Sequence, residues 1–290
     1  MTPTSIVLID QTKKIDPALL HSAALALNTQ VTQDLPQFWP GIVANVSAAP
    51  SLAAMPHNAW PVFLVAHLPP GEGGYHLDKH NQPFAKVIAS AHDETWTIDA
   101  SHEIVEMLVD PFGNRMQRSQ AIQISGGDVV DAPGSYTYLV EACDPCEANN
   151  FAYEIGGIAV SDFITPHYYD ASVTPSARYS FKGHIQRPRQ MLPGGYISYV
   201  QPDGSWMQIL WVDPEAGPQY KQLPATEAVR SLRLAVHGAM GEDLNLAKHR
   251  RRRDEATLPA PLAARVSQHR ERLDQHDDRA AEFTARYSLA

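Results

Sequence analysis

Residues 97–110 constrain this chain more than any other segment. They form a helical pattern that is apolar on most sides yet carries His102, Glu103 and Glu106. Ile104, Val105, Leu108 and Val109 fill the remaining sides and Pro111 ends the run, so the helix belongs in an interior. Charged and polar groups embedded in a buried helix require partners, and a metal ion is a good one. In Ser101-His102-Glu103-Ile104-Val105-Glu106, the positions of His102 and Glu106 differ by one helical turn and share a face. An imidazole nitrogen and a carboxylate oxygen at that spacing can hold one cation between them. Glu103 is rotated by about 100° from His102, which suits a group that reaches a water beside the metal without ligating it.

The rest of the chain places this helix in a mixed α+β protein. A β-rich run at 5–9 is followed by Asp16-Pro17, an N-cap with proline at the first helical position, and by apolar residues at helical spacing up to Pro36. Further strand-like runs occur at 41–47, 60–67, 75–78 and 84–89, giving β-α-β-β-β-α up to the key helix. Beyond it, strands are predicted at 136–143, 155–164, 196–200 and 206–212, and an amphipathic helix at 227–240.

Composition narrows the function classes. Residues 1–240 hold 13 Lys and Arg against 23 Asp and Glu, an acidic body that argues against nucleic-acid binding. No run approaches the roughly 18 apolar residues of a membrane span. The first twenty residues lack the basic and long apolar regions of a signal peptide, so a cytoplasmic protein is expected. After Gly241 the composition changes, with a His-Arg-Arg-Arg-Arg run at 249–253, and a boundary is predicted there: a domain at 1–240 and a charged linker with a C-terminal helix at 241–290.

A second segment supplies more ligating groups. Glu141-Ala142-Cys143-Asp144-Pro145-Cys146-Glu147 puts three carboxylates and two thiols into seven residues after an apolar strand. Asp144, in a turn before Pro145, ranks first as a further ligand, Glu147 second, and Glu141, on the preceding strand, third. Cys143 and Cys146 remain an alternative, as thiolate ligands or as a small structural site.

The element order resembles the N-terminal half of zincin metallopeptidases. There a strand just ahead of the active-site helix is the sheet edge that holds an extended peptide, which would be residues 83–90 here. His-Glu-x-x-Glu, followed by Asp110-Pro111 and then by Glu141, Asp144, Cys146 and Glu147, is also similar to a motif set of the phosphate-induced (EXORDIUM-like) family. That likeness covers roughly residues 101–165, and it departs in the additional Cys143. Together the resemblances imply a zincin-like mixed β-sheet with a buried active-site helix. They imply a metal-dependent hydrolase, a zinc peptidase acting on a peptide or protein, with Glu103 as general base and His102, Glu106 and one or more of Asp144, Glu147 and Glu141 on the metal. Zn2+ is the first choice of ion, and an oxygen-rich ligand set also suits Mn2+ or Ca2+.

Other residues carry further expectations. His167, or a neighbouring tyrosine in Thr-Pro-His-Tyr-Tyr, would serve as the donor to a developing oxyanion. His76 and His80, next to a Gly-rich turn, read as a surface loop. In the tail, Leu262, Val266, His269, Leu273, His276, Ala280, Phe283 and Tyr287 make a heptad seam. A helix over 262–287 would join subunits, dock a partner or lie on the acidic body. The rival to a peptidase is therefore a non-catalytic, metal-binding protein that works through this tail.

Overall fold

The structure, a computed structural model, describes residues 2–68, 73–91 and 93–223. It is a mixed α+β fold of two five-stranded sheets with one helix between them. The first sheet collects β1 (Thr4–Asp10), β2 (Ala44–Ala48), β3 (Trp60–Val65), β4 (Gly74–Lys79) and β5 (Gln82–Ile88) in the order β2-β1-β3-β5-β4. Its first four members are parallel, and β4 runs antiparallel to β5 at the rim. The parallel strands are covered on one face by α1 (Pro17–Thr29), which starts as expected: Asp16 accepts a 2.8 Å hydrogen bond from the Ala18 N–H, and Pro17 occupies the first turn.

The second helix, α2 (Trp96–Val109), is the expected buried helix, and it has a core on each side. Trp96, Ala100, Ile104 and Met107 pack with Ile6, Leu64 and Val87 of the first sheet. Val105 and Val109 pack with Tyr138, Phe163 and Ile197 on the other side. This second core belongs to an antiparallel sheet of β6 (Met116–Ser125), β7 (Asp128–Leu139), β10 (Tyr196–Val200), β11 (Trp206–Leu210) and β12 (Gln219–Gln222). A small hairpin of β8 (Tyr153–Ile155) and β9 (Ile158–Val160) lies beside the helices. Burying a helix on both sides is what makes its polar residues conspicuous, because little solvent face remains to receive them.

Three expectations are corrected. Residues 83–90 are not an edge of the first sheet: they supply β5, which is flanked by β3 and β4, and the edges are β2 and β4. The strand predicted at 136–143 ends at Leu139, so Glu141 sits in the following loop and not on the strand. The run at 155–164 is not one strand but the second half of a hairpin plus an irregular segment. The predicted helix at 227–240, the boundary near 241 and the seam at 262–287 lie outside the described residues. Among the described residues no helix is long and apolar enough to cross a membrane.

Candidate metal centre

Helix α2 presents His102, Glu103 and Glu106 toward β4 and toward the turn that follows β7. The Nε2 atom of His102 lies 3.3 Å from Oε2 of Glu106, the contact its one-turn spacing foretold. The same Nε2 lies 3.1 Å from Oδ1 of Asp144, so helix and acidic turn converge on one imidazole nitrogen.

The acidic turn is fixed by its backbone. Asp144-Pro145-Cys146 forms a short 3-10 turn, with the Cys146 N–H bonded to the Cys143 carbonyl at 3.0 Å. The Cys143 N–H donates to Oε1 of Glu106 at 3.0 Å, tying the turn directly to the helix. From the far side Leu192 donates its N–H to the Pro145 carbonyl at 2.9 Å. Gly195 then passes so close that a Cβ there would stand 2.6 Å from the Asp144 carbonyl oxygen and 2.8 Å from that of Pro145. Only glycine permits this approach.

The edge strand contributes a residue the sequence reading assigned to the surface. Alternation along β4 turns Gly74 and His76 inward onto α2, while Tyr75 faces away and packs edge-on against Phe84. His76 is fully buried, with Nδ1 3.1 Å from Oε2 of Glu103 and 3.9 Å from Oε2 of Glu106. A Cβ on residue 74 would stand 2.9 Å from Oε1 of Glu103, so the glycine makes room for that carboxylate. The signal was present in the period-two pattern of 74–77, which places a glycine and a histidine on one face of a strand. His80, in the turn after β4, is exposed as expected.

Burial is severe for this chemistry. Glu103, Glu106, Glu141, Asp144 and Glu147 are each less than 7 % exposed. Both oxygens of Asp144 are buried; Oδ1 faces Nε2 of His102 at 3.1 Å, and Oδ2 has no hydrogen-bond donor. Burial opposes the charged form of His102, but the adjacent carboxylates of Glu106 and Asp144 outweigh it and raise its pKa well above the ordinary histidine value. Burial, reinforced by the charge of Glu106, likewise holds the Asp144 carboxyl well above the usual carboxylate range, against the opposing pull of His102.

Three sets of side chains each bring their ligand atoms within 4.8 Å of one another: His76, Glu103 and Glu106; His102, Asp144 and Glu147; and Glu106, Glu141 and Asp144. With metal–ligand bonds of about 2.0–2.2 Å, two donors to one cation stand at most about 4.4 Å apart. Small rotamer changes therefore bring each set into range. Nitrogen and oxygen donors in these proportions fit zinc or a harder divalent cation.

The two thiols belong to none of these sets. Cys143 and Cys146 are free and buried in the second core, and burial, then neighbouring acidic charge, pushes both thiols up. His167 joins none of them either: its side chain is 48 % exposed and pairs with Asp170 at 2.8 Å. Two tyrosines stand nearer the acids. Burial, then the charges of Glu141 and Asp144, raises the Tyr169 phenol, and burial with Asp144 and Glu147 does so for Tyr196. Sequence reading noted Tyr169 as a neighbour of His167 but missed Tyr196, which the Pro-Gly-Gly turn delivers from β10.

Comparison of the chain with protein-family models, with curated proteins and with solved structures finds no match. A cleft of about 240 Å3 is lined by Gly73 before β4, by Ile88 and Ser90 at and after the end of β5, and by Thr95, Trp96 and Asp99 at the start of α2. Asp99 is one helical turn ahead of His102 and Glu103.

Proposed function

We propose that this chain is a zincin-like, metal-dependent hydrolase of peptides, with His102, Glu106, Asp144 and Glu147 as the groups that hold the metal. The observation that carries the reading is the convergence of Glu106 and Asp144 on Nε2 of His102 at 3.3 and 3.1 Å, with Oδ2 of Asp144 buried and lacking a donor. Buried polar atoms are rarely left so in a native protein, and a cation satisfies all of them together. Zinc bound there supplies Lewis acidity toward a carbonyl and lowers the pKa of water.

The chain's own residues supply the rest. Glu103 is offset from the ligand pair and is held at 3.1 Å by His76. In the tautomer with its proton on Nδ1, His76 donates to Oε2 and orients the carboxylate. Glu103 then accepts a proton from the attacking water and returns it to the leaving amine. β4, at the rim of the sheet beside the cleft, is suited to take an extended peptide as a further strand. This role falls to β4 where the sequence reading gave it to residues 83–90.

The test is metal content and turnover together. Elemental analysis of the purified protein should show bound zinc that His102→Ala loses, and Glu103→Gln should keep the metal while losing hydrolysis of a fluorogenic peptide library. A second reading has one observation in its favour: the His102 side chain is only 12 % exposed and the carboxylates less. In that reading the metal ties α2 to the acidic turn and nothing is turned over. Metal loss and destabilisation in His102→Ala, with no hydrolysis by the wild type, would establish it.

A further inference from the structure

We propose that the centre takes two divalent cations that share Asp144: one between His102, Asp144 and Glu147, and a second, harder ion between Glu106, Glu141 and Asp144. The inference rests on the metal reading above and divides its ligands. These are two of the three convergent sets, and Asp144 is the residue common to both. A single carboxylate bridges two cations when each of its oxygens faces one of them. Asp144 is suited to this, being 1 % exposed, with Oδ1 facing Nε2 of His102 and Oδ2 facing no hydrogen-bond donor.

The donor types separate the two positions. The set with His102 offers nitrogen and oxygen, which zinc accepts. The set of Glu106, Glu141 and Asp144 is all oxygen, which favours Mn2+, Mg2+ or Ca2+ over zinc. Glu106 stands at the border: Oε1 is occupied by the Cys143 N–H at 3.0 Å, and Oε2 faces His102. The arrangement leaves the His76–Glu103 pair outside both ligand sets, so Glu103 keeps its proton-accepting role. It also makes Glu141, in the loop after β7, a ligand of the second ion.

The experiment is sequential loading of the metal-free full chain. One equivalent of Zn2+ is added first, then Mn2+ by equilibrium dialysis, with both metals counted per chain by elemental analysis. The expected result is one zinc and one manganese in the wild type. Glu141→Gln should keep the zinc and bind manganese at least tenfold more weakly, and His102→Ala should lose the zinc. One zinc and no manganese in the wild type overturns the second site and leaves the first standing. No metal of either kind overturns both. Undiminished manganese in Glu141→Gln overturns the ligand assignment. The wild-type count decides the matter even if a variant fails to fold, which circular dichroism would reveal.

Discussion

His76 on the edge strand and Glu103 on the buried helix meet at 3.1 Å, Nδ1 to Oε2, across a space that exists because residue 74 is a glycine. Gly74→Ala would place a Cβ 2.9 Å from Oε1 and 3.1 Å from Cγ of Glu103. The neighbour is the end of a flexible side chain, so the carboxylate swings and the fold gives little. We expect a stability loss of about 1 kcal/mol, at the mild end of overpacking, and a loss of peptide hydrolysis of about tenfold, the equivalent of about 1.4 kcal/mol in the barrier. Urea unfolding and kcat measured on the same preparation check the two separately.

Gly195→Ala should behave in the opposite proportion. The atoms it meets are the backbone carbonyls of Asp144 and Pro145, at 2.6 and 2.8 Å, which cannot swing aside. The acidic turn must move, with an expected destabilisation of about 3 kcal/mol, the upper part of the overpacking range, and weaker metal binding. Denaturant unfolding of the metal-free and metal-loaded protein, compared with wild type, measures both effects.

Asp34 gives a pH dependence that can be tested away from the candidate metal centre. Burial raises its carboxyl above the usual value, although the hydroxyl of Tyr153 donates to it at 2.8 Å and opposes the shift. A carboxyl raised by folding is held more tightly protonated in the folded state. Its contribution to stability is therefore fully present below the ordinary aspartate pKa and is lost as pH rises through the elevated folded value. Asp34→Asn keeps an acceptor for Tyr153 and removes the charge. Thermal melts from pH 3.5 to 7 should show the variant gaining on wild type as pH rises, and parallel curves would exclude the effect.

The thiols of Cys143 and Cys146 should be inert in the folded protein. Both are buried, neither is in a disulfide, and burial keeps them protonated beyond the ordinary thiol range. A thiol reagent at pH 8 should label neither before unfolding and both in denaturant. Fast labelling of the native protein would place them in a reactive role instead.

The sequence by itself determined the local elements and one half of the centre. Helical periodicity fixed α2 as buried, and the one-turn spacing of His102 and Glu106 placed both on a common face, because those relations are set within a single element. The clustering of Glu141, Asp144 and Glu147 announced a second group of candidate ligands for the same reason. Tertiary structure alone decided which groups meet. His76 and Glu103 are 27 residues apart, and Cys143 and Glu106 are 37 apart, so their contacts depend on strand order and on the packing of two sheets about one helix. Order within a sheet likewise moved the edge from β5 to β4, since pairing between strands is written in long-range contacts and not in the strands' own alternation. His167 drew attention as a histidine beside tyrosines, yet its side chain turns outward to Asp170, whereas Tyr196, silent in its own segment, is brought to the acids by the close passage of Gly195. Local pattern shows which face a side chain takes; only the assembled fold shows what stands opposite it.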